Sequence, residues 1–170
     1  MDLLRFFEWL ESTAGSVAIR ESILLYPLIE TTHVLTLCLF LGMIALLDLR
    51  LLGMGLRHVP VSEVAGRLLP LALLGFALMV LSGTLLFYSG PVRAFQNIFF
   101  RVKVVMLVLA GLNALFFHLT IYRRVAAWDD DPVPPARAKM AGAMSLLLWS
   151  GVVVCGRMQA YNWFEGAGRP

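Results

Sequence analysis

Six candidate site residues stand among the ionisable side chains of the long apolar stretches in this 170-residue chain: Glu30, His33, Arg101, Lys103, His118 and Arg157. An ionised group inside lipid costs several kcal/mol, so such residues are expected to face a protein interior, a cofactor or the membrane surface. An imidazole can ligate a metal ion or the iron of haem. A carboxylate and several cations can neutralise one another or bind an anionic ligand.

His33 has three interpretations. It is a core histidine bonded to a backbone carbonyl or to Glu30, an axial ligand of b-type haem, or part of a metal site. The spacing Glu30-x-x-His33 also occurs on the helices of carboxylate-bridged di-iron proteins. Those proteins need a second such motif and further carboxylates, and the sequence contains no partner motif. The spacing therefore indicates a polar site without identifying its ligand.

His118 is either a histidine at the membrane interface or a second haem ligand opposite His33. At about 1.5 Å rise per helical residue, the two histidines differ in expected depth by about 12 Å or more. Helix tilt removes part of that difference. A histidine–methionine pair is the alternative, because Met79 and Met106 are expected nearer the depth of His33.

Glu30, His33, Lys103 and Arg157 are expected at similar depth, in the outer third of the bilayer. Together they could neutralise one another or bind an anionic ligand, and Arg101 is included among the candidate cofactor-binding residues. Alternatively, Lys103 and Arg157 extend to the headgroups and bind nothing.

The composition is typical of a membrane protein. Hydrophobic residues make up 59% of the chain, mean hydropathy is +0.80, and only 15% of residues are charged. The net charge of +3 comes mostly from arginines that flank the apolar stretches, a pattern of bilayer topology rather than nucleic-acid binding.

The apolar stretches predict an all-α, four-helix transmembrane bundle. About 20 apolar residues suffice to cross a bilayer, and four spans are expected at about 22–49, 68–88, 97–122 and 139–160. One face of the first span carries its polar and aromatic residues: Tyr26, Glu30, His33, Phe40 and Asp48.

Three segments complete the expected domain organisation. In residues 1–20, polar residues recur about every third position between apolar ones, which is typical of an amphipathic helix lying in the membrane interface. Residues 21–163 form the membrane domain, with Tyr161 and Trp163 at an aromatic belt, and 164–170 form a tail. The charged, proline-rich stretch 123–138 is expected to be an irregular, water-exposed loop.

Basic residues are unequally distributed between the two sides of the predicted bundle. The connections 50–67 and 123–139 contain seven: Arg50, Arg57, Arg67, Arg123, Arg124, Arg137 and Lys139. The other side has four outside the spans: Arg5, Arg20, Arg93 and Arg169. The positive-inside rule therefore predicts cytoplasmic connections and two outward-facing termini.

Common catalytic patterns are missing from the sequence. It contains no glycine-rich phosphate loop, no Ser-His-Asp order and no multi-ligand zinc spacing. Cys38 and Cys155 form no CxxC or CxxCH pattern, which favours buried thiols over c-type haem attachment. No catalytic residue is assigned.

Two stretches carry a resemblance to known families. LIETTHVLTLCLFLGMIALLDLRLLG and FRVKVVMLVLAGLNALFFH resemble an uncharacterised bacterial four-span membrane family over roughly residues 22–123. More distantly, the histidine followed by Gly42 and the third span with Lys103 are similar to copper-resistance D-type proteins and membrane protoporphyrinogen oxidase. That similarity implies b-type haem at His33 with Lys103 nearby. This chain departs from the distant pattern by lacking a tryptophan before the glycine and by adding Glu30.

The function expected from these observations is that of a haem b-binding electron-transfer or redox partner subunit in a bacterial cytoplasmic membrane. The alternative is a non-enzymatic membrane component, either a metal-handling protein or a structural subunit of a larger complex. Expected partners are membrane lipid and either a quinone or another redox subunit, with homo-oligomerisation left open. Nucleic acid is not an expected partner.

Overall fold

The computed structural model describes residues 3–161, and every regular element within them is helical. The predicted tail 164–170 and the predicted interfacial position of Trp163 lie outside the described residues. The α-helices are α1 Leu3–Glu11, α2 Ala14–Glu21, α3 Leu25–Leu52, α4 Val61–Ser89, α5 Pro91–Gln96, α6 Ile98–Phe116 and α7 Ala136–Met158. After α6 the chain continues as a π-helical turn, Phe117–Ile121, and a 3-10 helix, Tyr122–Ala127.

Four described helical segments are long and apolar enough to cross a membrane: Leu25–Leu52, Val61–Ser89, Ile98–Ala127 and Ala136–Met158. The predicted all-α, four-span architecture is confirmed, and the chain is a multi-pass membrane protein. We call the end where α3 and α6 begin the N-terminal end of the bundle, and the opposite end the loop end.

The second span begins earlier than predicted, at Val61 instead of 68. Pro60 precedes its first turn, where a residue without an N–H group loses no helical hydrogen bond. The added turns are polar on one side, with Arg67 and Glu63 paired at 2.6 Å. The hydropathy of the sequence identifies only the apolar part of this helix and not its polar first turns.

The N-terminal segment is two helices rather than the predicted single helix over 1–20. α1 ends at Glu11, and Thr13 Oγ1 lies 2.6 Å from Tyr88 Oη at the end of α4. In α2, Ser16 Oγ donates to the Tyr88 carbonyl at 2.8 Å. These bonds tie α2 and the residue before it to α4, and Phe7 of α1 contacts Phe87 of α4 with ring centroids 5.7 Å apart. Phe6 and Trp9 of α1 remain exposed, as an interfacial helix requires.

The spanning helices are arranged in the order α4–α3–α7–α6. α3 packs extensively against α4 and α7, and α6 packs mainly against α7. Phe40 on α3 contacts Trp149 on α7, with ring centroids 4.7 Å apart. At Gly142 on α7, an added Cβ would lie 3.1 Å from the Asp48 carbonyl oxygen, so glycine permits the close α3–α7 approach.

The stretch 123–138 is mostly exposed, as predicted, but it is less irregular than predicted and several of its residues are packed. Its first residues belong to the 3-10 helix, and Trp128 and Pro134 are buried. Trp128 packs in a cluster with Leu51 and Val61 from α3 and α4. The loop is therefore folded onto the loop end of the bundle. It is held there by Arg50, whose contacts are described below.

Candidate functional site

The imidazole of His33 is fixed by the backbone of α4. Its Nδ1 lies 3.0 Å from the Met79 carbonyl oxygen and 3.0 Å from Ser82 Oγ. The Ser82 hydroxyl donates to the Leu78 carbonyl at 2.7 Å. Because the Met79 carbonyl can only accept, we assign the imidazole proton to Nδ1. The Nε2 lone pair then remains available, and no hydrogen bond to Nε2 is formed by the described residues.

Glycine explains how the ring comes so close to α4. A Cβ added to Gly83 would lie 3.0 Å from His33 Cε1, closer than a side chain is normally packed. One turn further along α3, the Thr36 hydroxyl donates to the Thr32 carbonyl at 2.8 Å. The Thr36 hydroxyl is thus satisfied within α3, whereas the His33 imidazole is bonded to the neighbouring helix α4.

Lys103 approaches the same region from α6. Its ammonium is within electrostatic range of His33, and Nζ donates to Gln159 Oε1 at 3.3 Å. Nζ also lies 5.4 Å from the centroid of the Phe100 ring. One cation and one imidazole therefore converge at the N-terminal end of the bundle, with contributions from all four spanning segments or their ends.

The other candidate residues lie on exposed surfaces. Glu30 and Arg101 are exposed, and no hydrogen bond or ion pair joins Glu30 to His33. Arg157 is also exposed, and its Nη2 donates to Tyr161 Oη at 2.9 Å. Lys103 therefore acts on His33 electrostatically, whereas Glu30, Arg101 and Arg157 form no hydrogen bond or ion pair with it.

His118 lies on an exposed surface towards the loop end. It belongs to the π-helical turn and stacks on Tyr122, with centroids 5.5 Å apart and planes inclined by 19°. Counted from the helix starts, His118 lies about 18 Å further along the bundle axis than His33. One iron atom cannot be ligated by both side chains at that separation.

A buried arginine that the sequence analysis treated only as a topological charge organises the loop end. Arg50 is 0% exposed. Its Nε donates to the Val59 carbonyl at 2.7 Å, and Nη2 donates to the carbonyls of Asp129 and Asp131 at 3.2 Å each. Arg50 also lies in the last turn of α3, where the helix dipole favours a cation.

Asp129 completes this connection through its side chain. Its two carboxylate oxygens accept from Ser62 N at 2.7 Å and from Ser62 Oγ at 2.5 Å, at the start of α4. An acid at a helix N-terminus satisfies N–H groups that have no helical partner. The Asp-Asp-Asp run after Trp128 was the available sequence signal, but nothing in it indicates which residue it meets.

Asp48 forms a second polar position, separate from His33. It is 4% exposed, it faces Ser145 on α7, and Oδ2 is buried without a partner among the described residues. Asp48 lines a groove of about 320 Å³ between α3 and α7. The sequence pattern places Asp48 on the polar face of α3 and predicts no role for it.

One family of known protein sequences is similar to this chain. A model described as a family of unknown function (DUF6644) matches residues 6–162, nearly the whole chain. The chain belongs to this family. Searches of curated proteins and of solved structures found no match.

Membership of DUF6644 confirms the predicted relationship to an uncharacterised family. The family description states no activity, so the chemistry of this DUF6644 protein has to be argued from its own residues. Within residues 3–161, no three or more His, Cys, Asp or Glu side chains are grouped to bind a metal ion. His33 is therefore considered as a single ligand.

Proposed function

We propose that this protein is a haem b-binding redox subunit of a bacterial cytoplasmic membrane, with Nε2 of His33 as an axial ligand. The observation that carries the proposal is the Nδ1 contact to the Met79 carbonyl at 3.0 Å. A metal-binding histidine generally donates its other ring N–H to an oxygen acceptor, which fixes the tautomer and the ring orientation.

Two residues beside His33 bear on the haem proposal. Gly83 lets α4 lie close against the Cε1 edge of the His33 ring, and Lys103, whose charge acts on His33, would supply a cation for a propionate carboxylate. When bound, haem iron would supply one-electron transfer. The chain's own residues would orient the imidazole and supply positive charge. His118 lies too far along the axis to act as a second ligand with His33, and the methionine alternative with Met79 or Met106 remains a prediction.

The proposal agrees with the distant resemblance to copper-resistance D-type proteins and membrane protoporphyrinogen oxidase. The basic connections would face the cytoplasm, and a quinone or another redox subunit would exchange electrons with the haem. Redox activity would then belong to a complex.

Absorption spectra of detergent-purified protein test the haem proposal. Protein expressed with ample haem should show a Soret band that shifts on reduction. His33→Ala should abolish that band because an axial ligand is lost, while the variant still inserts into the membrane. His118→Ala is the matched control and should leave the band unchanged.

A second pair of variants tests the anionic end of the ligand. Lys103→Leu should lower haem retention during purification, and Arg157→Leu should not, because Arg157 pairs with Tyr161 on an exposed surface. Colourless, iron-free wild-type protein, or an unchanged Soret band in His33→Ala, would contradict the haem proposal.

The alternative is a non-enzymatic component, and one observation favours a structural subunit. Among the described spanning helices, α6 packs extensively against α7 alone. Only 11% of the most apolar 18-residue stretch of this span is buried. Such an apolar face suits lipid or the helix of another subunit. Co-purification of a stoichiometric, integral membrane partner with colourless protein would favour this alternative.

A further inference from the structure

We infer that copies of this protein associate side by side in the membrane, with the exposed face of α6 in one copy packed into the groove between α3 and α7 of its neighbour. Arg101 on α6 would then pair with Glu30 on α3. Both side chains are exposed, and no described residue forms an ion pair with either. The inference concerns a surface and does not depend on the haem proposal.

The carboxylate of Glu30 needs a cation from outside the described part of its own chain. The apolar residues Leu25 and Leu28, which lie nearer the N-terminal end of the bundle, are exposed on the same helix. The apolar surface therefore continues for about 7.5 Å beyond Glu30. Ionisable side chains within spanning helices generally face a protein interior and pair with one another. An exposed, unpaired acid at this position thus indicates that a partner covers it.

Helix α7 provides a common depth scale, because it packs against both α3 and α6. Phe40 of α3 contacts Trp149 of α7. Glu30, ten residues earlier in α3, is therefore about level with Gln159, ten residues later in α7. Lys103 of α6 donates to Gln159 Oε1 at 3.3 Å. Glu30 and Lys103 thus lie at nearly the same depth.

Arg101 presents the opposite charge close to this depth. It precedes Lys103 by two residues, which is about 3 Å along α6. Copies of a membrane protein that are inserted with the same orientation keep every residue at the same depth. Arg101 of one copy can therefore meet Glu30 of another, and each charge would neutralise the other.

The apolar surfaces that follow the two charges fit each other as a helix and a groove. On α3, the groove-lining residues Leu41 and Asp48 come 11 and 18 residues after Glu30, about three and five turns, so all three share one face. A helix lying in the groove would therefore pass Glu30. On α6, the exposed residues after Arg101 recur at alternating spacings of four and three, as in helices that pack side by side: Val105, Val108, Leu112 and Leu115.

A second copy accounts for both surfaces, whereas a lipid accounts for one. An acyl chain would fill the apolar groove, but the amine of a lipid headgroup lies outside the hydrocarbon and would leave Glu30 unpaired. The proposed contact covers the groove, pairs the acid, and buries the face of α6 that its own chain leaves exposed. It joins unlike surfaces of two copies and is therefore heterologous.

Near the loop end, the depth scale places Ala45 and Leu112 opposite each other in the proposed contact. Residues 141–142 of α7 meet Asp48 of α3 and Asn113 of α6. Ala45 precedes Asp48 by three residues and Leu112 precedes Asn113 by one, so their depths differ by about 3 Å. Ala45 lines the groove and Leu112 is exposed on α6.

Disulfide cross-linking in native membranes tests the inference. In a background lacking Cys38 and Cys155, two differently tagged full-length copies are co-expressed, one with Ala45→Cys and one with Leu112→Cys. Oxidation should join them as a covalent heterodimer on a non-reducing gel. Leu71 is exposed on α4, outside the groove, and Leu71→Cys, the matched control, should not cross-link to Leu112→Cys.

Charge reversal tests the ion pair in the same assay. Glu30→Arg in the copy with Ala45→Cys, or Arg101→Glu in the copy with Leu112→Cys, should lower the cross-linked fraction at least about tenfold, because like charges then face each other. Combining the two reversals should restore cross-linking. Such rescue separates a lost attraction from misfolding, since a misfolded copy would not be repaired by a change in its neighbour.

Several results would overturn the inference. One is no heterodimer with the native charges, and another is equal cross-linking of Leu71→Cys, which would mean random collision. Cross-linking that ignores both reversals, or that the combined reversals fail to restore, would remove the ion pair. Rescue of Glu30→Arg by Arg169→Glu in the same copy would place the cation in the C-terminal tail of that chain.

Discussion

At the scale of single residues, the charged side chain with the most complete burial is Arg50, which is not one of the candidate ligands. Its guanidinium is removed from water, and three backbone carbonyls from two separate connections accept its N–H groups. Nη1 is buried without a partner among the described residues. By donating to these three carbonyls, Arg50 stabilises one particular conformation of the two connections.

Arg50→Ala should therefore lower the free energy of unfolding by about 3 kcal/mol, since a buried network of hydrogen bonds is lost. Arg50→Lys keeps the charge but not the planar fork, and should lie between alanine and wild type. Thermal unfolding in detergent measures both. Arg57, exposed in the same connection, is the control, and Arg57→Ala should change stability by less than about 0.5 kcal/mol. Equal effects of the two alanine variants would show that burial of Arg50 contributes nothing.

The sequence indicates His33 and Lys103 as candidates, and a histidine bonded to a backbone carbonyl is one of the three interpretations of His33. The sequence does not indicate which carbonyl accepts the bond or where Lys103 lies. Ionisable residues in apolar stretches are conspicuous, so both were identified, and Glu30, Arg101, His118 and Arg157 were identified by the same criterion. His33 and Lys103 differ from the other four residues in the direction that their side chains face. The acceptor for His33 is a main-chain carbonyl on α4, and a carbonyl leaves no mark in a sequence because every residue has one.

At the scale of helices, the contact between α3 and α7 depends on a missing side chain. At Gly142, a Cβ would meet the Asp48 carbonyl at 3.1 Å and Leu51 Cβ at 3.2 Å. Neither neighbour is the end of a flexible side chain. The same contact positions Asp48 against Ser145 and forms one wall of the groove.

Gly142→Leu should therefore destabilise the protein by about 1–3 kcal/mol through overpacking. Gly111 on α6 is the matched control, because nothing lies within 4 Å of a Cβ added there, so Gly111→Leu should be close to neutral. Resistance to unfolding by SDS compares the two. A variant Gly142→Leu as stable as Gly111→Leu would mean that α3 and α7 do not approach each other as closely as described.

The helices themselves were largely predictable, whereas their ends were not. Apolar length identified all four spans, because the bilayer imposes the same minimum length on each. The polar first turns of α4 and the folded loop after α6 have no such signature. They are set by Asp129 at the start of α4 and by Arg50, contacts between residues 67 to 81 positions apart.

At the scale of the whole molecule, the arrangement α4–α3–α7–α6 places both basic connections at one end. The positive-inside rule then predicts that this end faces the cytoplasm. Asp130 is an exposed loop residue, whereas neighbouring Trp128 is buried and would be a poor reporter.

In a background lacking Cys38 and Cys155, Asp130→Cys should resist an impermeant thiol reagent in intact cells. Glu8→Cys, at an exposed position of α1, should react. Permeabilised cells provide the control, because both cysteines should then be labelled. The reverse pattern would invert the orientation while leaving the four spans unchanged.

The position of Arg50 also has a consequence for biosynthesis. Two of its acceptors belong to residues translated 79 and 81 positions later. At about 5–20 residues per second, a ribosome needs about 4–16 s to reach them. In the second half of that interval α3 and α4 have already been synthesised, and Arg50 has not yet met the carbonyls of Asp129 and Asp131. Maturation of this helix pair thus waits for the third span, so a nascent chain truncated before Asp129 should remain protease-sensitive at its first connection.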